Sequence, residues 1–132
     1  MTLSLPKTIR AFSLVEVLAA VGIIGIIAFL AIPNIVAIKQ DSERNLAISR
    51  AEALNMAVVS YIQANGKANV SAGWKSKNDQ NRYALLIPYL SFAPGQLTDF
   101  TPNGYSITLP PDLDALTKSI LTDTSTSSAV TY

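Results

Sequence analysis

The chain of 132 residues has no cysteine and no histidine. Without cysteine there is no disulfide, no thiolate zinc site and no covalent haem attachment. Without histidine the commonest general base is missing. No nucleophile–base pair and no phosphate-binding loop is visible either, so catalysis is not expected. Charge is scarce too. Ten basic and nine acidic residues leave a net charge of +1, and from Lys39 onward the two signs balance at eight each. The soluble part therefore carries no general electrostatic footprint for nucleic acid. Once the N-terminal quarter is assigned to a membrane, roughly 90 residues remain, enough for one small domain rather than two.

What the chain does have is one long apolar run. Residues 10–38 read RAFSLVEVLAAVGIIGIIAFLAIPNIVAI, and from Val17 to Ile38 there are 22 residues without charge. As a helix rising about 1.5 Å per residue they reach ~33 Å, enough for a ~30 Å hydrocarbon core. The leader, residues 1–11, is short, polar and basic at its end. Its small residue, Ala11, precedes the apolar run, so a cut there leaves the run attached, unlike a conventional secretory signal. Lys7 and Arg10 favour a cytoplasmic N-terminus and an exported C-terminus, while Lys39 is offset by Asp41 and Glu43. Glu16 sits at the mouth of the run. A carboxylate there costs several kcal/mol unless it finds a partner.

Ala11-Phe12-Ser13-Leu14-Val15-Glu16-Val17-Leu18 resembles the class III signal of type IV pilins and type II secretion pseudopilins. That signal is a small residue, then Phe-(Ser/Thr)-Leu-x-Glu-x-Leu, then an apolar helix. Gly25 and Pro33 fall where the family has a helix-loosening glycine and a proline. The detailed resemblance covers about residues 7–38. It implies that a membrane aspartyl protease, the prepilin peptidase, cuts between Ala11 and Phe12 and methylates the new amine of Phe12. Ala11 stands where the family has glycine. The resemblance further implies a single-pass precursor held in inner-membrane lipid. An assembly platform would then polymerise it with itself and other pilins, with residues 12–38 in the filament core. Between Gly25 and Pro33 the family's helix loses order in the filament; in an isolated subunit a gently kinked continuous helix is expected. Glu16, one turn from residue 12, is placed to pair with a Phe12 amine, its own or a neighbour's. A plain signal anchor is the blander reading, but Phe-Ser-Leu-x-Glu is too particular a sequence for it.

Residues 39–65 carry Ala47, Ala51, Leu54, Val58, Tyr61 and Ile62 at three- and four-residue spacing, with charge on the other side. This is an amphipathic continuation of the same helix, stopped at Asn65-Gly66. The apolar stripe reads as core. Residues 66–132 read as a small globular domain. Within it, 67–81 is expected to be a loop, and 82–90 a short helix ending before Pro88 in preference to a strand interrupted by that proline. QLTDFT and YSITL are expected to form a hairpin about Pro102-Asn103-Gly104. Residues 112–121 are expected to form a short helix capped by Asp112, and SAVTY an edge strand or a disordered end. The fold class is α+β: a long N-terminal helix packed on a small antiparallel sheet.

Trp74, Lys75, Lys77 and Arg82 interleave an aromatic with basic groups, a pattern that stacks and holds nucleic acid; a solvated loop explains it more simply. Asp112 and Asp114 could ligate calcium, with Asp99 or Asp123 joining them. Two carboxylates fall short of the six to eight oxygens calcium takes, and caps with surface charge are the simpler account. No cofactor is expected. The leading expectation is therefore a filament subunit. A periplasmic secretion pseudopilin is the first rival, and a minor subunit that binds DNA or a surface is the second.

Overall fold

Helix α1 begins at Leu14 and ends at Asn65, 52 residues in all, in a computed structural model that describes residues 10–132. Lys7 and the leader up to residue 9 lie outside the described residues. The helix carries on through Pro33, although proline removes one backbone donor. The chain divides into two compact units, one ending at Gln40 and the other running from Asp41 to Tyr132.

In the second unit α1 buries Ala47, Ala51, Leu54, Ala57 and Val58. Their spacing of three and four residues puts them on one face, as the sequence implied. Three small alanines on that face let other elements approach closely. Asn65-Gly66 ends the helix as expected. Gly66 takes φ +81°, a conformation that favours glycine, and its N–H donates to Ile62 O at 2.9 Å.

After Gly66 the chain departs from the expected loop. It forms α2, Lys67–Lys75, and then α3, Asp79–Leu86. Polar composition hid α2, because only Val70 and Trp74 mark its apolar face, and both are buried. Tertiary burial supplies what the local pattern lacks. Asn78 caps α3, its side chain accepting from Asn81 N at 2.9 Å. A 3₁₀ turn, Ile87–Tyr89, takes in Pro88.

The expected hairpin does not form. Leu97–Phe100 is a helical turn, α4. Leu97 and Phe100 are both buried, and residues three apart share a face in a helix but not in a strand. Gln80 Oε1 of α3 accepts from Leu97 N at 2.8 Å and fixes its start. Tyr105–Thr108 is strand β1, but its partner is β2, Ile120–Asp123, paired antiparallel from Tyr105↔Asp123 to Thr108↔Ile120. Strand β3, Ser128–Val130, pairs antiparallel with β2 at the edge.

The expected helix over 112–121 is replaced by a turn and β2. Asp112 Oδ1 accepts from Asp114 N at 2.9 Å, an Asx turn rather than a cap. Asn55 of α1 then holds the approach to β2 extended: its Oδ1 accepts from Ser119 N at 2.8 Å and its Nδ2 donates to Tyr132 Oη at 3.2 Å. The Tyr132 hydroxyl in turn donates to Ser119 O. The sheet's Ile107 and Leu121, with Leu109 and Leu113 beside it, close over Leu54, Trp74, Tyr83 and Leu86 in one core. The fold is α+β, with the N-terminal helix packed on a three-stranded antiparallel sheet.

Candidate functional site

Arg10 to Ser13 precede the helix, and Ser13 caps it. Ser13 N donates to Glu16 Oε2 at 2.9 Å, and Glu16 N donates to Ser13 Oγ at 3.1 Å. Together these make a reciprocal capping box of the Ser-x-x-Glu type. The Ser-x-x-Glu signature of this role is legible in the sequence, beside the amine pairing that the family resemblance implies for Glu16. In the intact chain residue 12 carries a peptide N–H and no amine, so the neighbouring amide of Ser13 holds the carboxylate. Glu16 also stands at the helix's positive end, which favours a negative charge.

From Val17 to Ile38 the helix carries no charge. Phe12, Leu14, Leu18, Ile24, Phe29 and Ile35 are among many large side chains left exposed. The helix is long and apolar enough to cross a membrane, and none of its most apolar stretch is buried within the chain. Each such side chain forgoes about 1.5–3 kcal/mol by staying in water. The helix is thus compatible with a single membrane span or a signal. Gly22 and Gly25 have no neighbour within 4 Å of where a Cβ would sit. Nothing within the unit requires glycine there, and each lowers helix propensity by about 1 kcal/mol relative to alanine.

The aromatic–basic stretch is built differently from the sequence expectation. Trp74 is fully buried, and its indole Nε1 donates to Pro110 O at 2.7 Å. A base has no ring to stack on. Arg82 is buried beside it, pairs with Asp79 Oδ1 at 3.1 Å, and donates to backbone carbonyls of Trp74 and Pro111. Lys77 is half-exposed. Lys75 pairs with Asp112 and Asp114, at 3.2 and 2.9 Å.

The two aspartates expected to meet calcium thus come together around an ammonium. Hydrogen bonds from Lys75 and Ser71 hold the Asp114 carboxyl below its usual range, and the two carboxylates hold Lys75 above its own. Lys75 sits where a cation would have to bind. Asp123 serves a turn, accepting from Ser125 N at 2.8 Å and Ser125 Oγ at 2.6 Å. Asp99 lies on α4. Among the described residues no three His, Cys, Asp or Glu side chains gather as a metal site.

No family model, no curated protein and no solved structure matches this chain. The architecture itself, a long apolar N-terminal helix followed by a small antiparallel sheet, is pilin-like.

Proposed function

We propose that this protein is a structural subunit of a type IV pilus-like filament and acts by assembly, not catalysis. Prepilin peptidase cuts between Ala11 and Phe12 and methylates Phe12. The subunit waits in the inner membrane with its N-terminus in the cytoplasm. An assembly platform then transfers it into a polymer with itself and other pilins, on the cell surface. The observation that carries this reading is the uncovered apolar helix that begins at a Phe-Ser-Leu-x-Glu start. Lipid covers it first, and the same helices of other copies cover it afterwards. Glu16 supports the reading. Its carboxylate is held by one amide now, and cleavage would create an amine one turn away. Gly25 and Pro33 weaken the helix without serving packing inside the subunit.

The filament is preferred to a calcium-dependent pseudopilin because the Lys75 ammonium already neutralises Asp112 and Asp114. It is preferred to a DNA-binding minor subunit because Trp74 is sealed in the core. The test is mass spectrometry of the mature N-terminus together with electron microscopy of sheared surface material. The expected result is a chain starting at methylated Phe12, recovered in filaments. An uncut chain starting at Met1, with no filaments, would overturn the proposal.

A further inference from the structure

Asn-Gly occurs at Asn65-Gly66 and at Asn103-Gly104. Asparagine is among the thermolabile residues, and this pair is where its chemistry meets least resistance. The backbone nitrogen that follows an asparagine can attack the side-chain carboxamide and close a five-membered ring. Glycine, having no Cβ, obstructs that approach least. The fold treats the two pairs in opposite ways.

Asn65 ends α1 and is held in place. Its Nδ2 donates to Tyr61 O at 3.0 Å and to Tyr89 Oη at 3.1 Å. Gly66 N, the nitrogen that would attack, donates to Ile62 O at 2.9 Å. Asn69 Nδ2 stands 3.4 Å from where a Cβ of Gly66 would sit, and donates to Asn65 O at 3.0 Å. The bonds of Asn65 Nδ2 and Gly66 N must open before a ring can close here.

Asn103 is exposed in the turn that leads into β1. Tyr105 N donates to Pro102 O at 3.2 Å across that turn, and Gly104 takes φ +86°. Among the described residues, neither the Asn103 carboxamide nor the Gly104 N–H has a hydrogen-bond partner within the chain. Nothing lies within 4 Å of where a Cβ of Gly104 would sit. Both reacting groups stand in water with nothing to hold them apart.

We propose that Asn103 is a site of spontaneous modification by ring closure and hydrolysis, and that Asn65 is protected from the same reaction. Gly104 N gives its proton to solvent hydroxide and bonds to Asn103 Cγ. The Cγ–Nδ2 bond breaks, and the nitrogen leaves as ammonia with a proton taken from water. A succinimide remains. Water opens it at one carbonyl or the other, which gives aspartate or isoaspartate at position 103. In sum, an amide and water become a carboxylic acid and ammonia, with no change in oxidation state.

The consequence falls on the sheet. Gly104 O accepts from Thr124 N at 3.0 Å, next to the Tyr105↔Asp123 pair at the end of the β1–β2 ladder. Isoaspartate routes the backbone through its side chain and adds one methylene before Gly104, which displaces that bond. Either product also adds a negative charge two residues from Tyr105, the partner of Asp123. The start of β1 therefore loosens as the protein ages. This inference does not rest on the filament reading, because every residue in it belongs to the Asp41–Tyr132 unit.

The test incubates the full chain in detergent micelles at mildly alkaline pH. Tryptic peptides are then read by mass spectrometry, with chromatographic separation of aspartyl from isoaspartyl forms. Cleavage after Arg82 and Lys118 isolates Asn103, and cleavage after Arg50 and Lys67 isolates Asn65. In the folded chain Asn103 is expected to convert about tenfold faster than Asn65 or more, because the bonds at Asn65 must open first. In concentrated urea the two are expected to convert at similar rates. No conversion of Asn103 in the folded chain, an equal or faster Asn65, or a difference that persists in urea would overturn the proposal. Asn103→Asp adds the charge without the methylene, so it is expected to melt higher than aged chain enriched in isoaspartate; equal melting would overturn the effect on the sheet.

Discussion

Replacing Arg82 by alanine removes a side chain that ties three segments together. Its guanidinium reaches Asp79 at 3.1 Å, Trp74 O at 3.3 Å, Lys75 O at 3.5 Å and Pro111 O at 3.4 Å. It also lies 5.8 Å from the centre of the Trp74 ring. The carbonyl bonds are long, and each belongs at the weak end of its class. Asp79 is partly exposed, so the ion pair is moderated by solvent. Removal still strips a buried charged donor from several carbonyls at once, which together costs about 2–3 kcal/mol. For a domain of this size that lowers the melting temperature by roughly 10–20 °C. The single tryptophan is the reporter, because Trp74 is buried against Arg82. Its fluorescence in the full chain in detergent micelles follows unfolding of the Asp41–Tyr132 unit. Arg82→Lys keeps the charge but loses the planar fork, so it is expected to recover less than half of the loss. A melting temperature for Arg82→Ala within about 2 °C of the parent would place Arg82 with ordinary surface residues and refute the structural role.

Two other polar clusters give further expected outcomes. Lys75→Ala leaves Asp112 and Asp114 without their shared cation, so the Asp114 titration midpoint, read by NMR, is expected to rise; an unchanged midpoint would show that Lys75 does not hold it down. The sign for stability follows from the shifts. Asp114, depressed when folded, contributes above the ordinary carboxylate range and loses that contribution as pH falls through its folded pKa. Lys75, raised when folded, contributes below its ordinary range and loses that contribution as pH climbs through its folded pKa, so the clasp is whole at neutral pH. Glu16→Gln keeps an acceptor for Ser13 N but removes the charge. It is expected to preserve the helix start and membrane insertion and to abolish filaments in sheared preparations, and filaments at normal yield would refute a role for the charge.

Much of this molecule is legible from local pattern. The long helix, its stop at Asn65-Gly66 and its buried stripe follow from hydrophobic periodicity and from glycine's tolerance of positive φ. The edge strand near the C-terminus was one of two readings open for SAVTY. The capping box was also readable, because Ser13 and Glu16 stand three apart before an apolar run, but the family resemblance drew attention to an amine instead. The misreadings share one cause. The local patterns of QLTDF and DLDALTKSIL favour strand and helix, whereas side chains distant in sequence decide both. Gln80 fixes the start of α4, and Asn55 takes the backbone of Ser119. The partner of β1 begins a dozen residues downstream, beyond the reach of any turn signal.

Trp74 and Arg82 show the same divide at the level of function. In the linear sequence an aromatic among basic residues is equally compatible with a binding face and with a core position. Burial separates the two, and burial is a property of the packed unit. Composition and residue order determined that the chain has no disulfides or thiolate metal sites and no histidine chemistry, and that one segment is long and apolar enough to cross a membrane, because those conclusions need only residue types and their sequence. The tertiary structure decided which polar groups would be consumed internally. It turned Lys75, Asp112 and Asp114 toward one another, set Arg82 against Trp74, and left Asn103 outside. Those outcomes depend on which surfaces meet when helices and sheet close on one another, and no local rule contains that information.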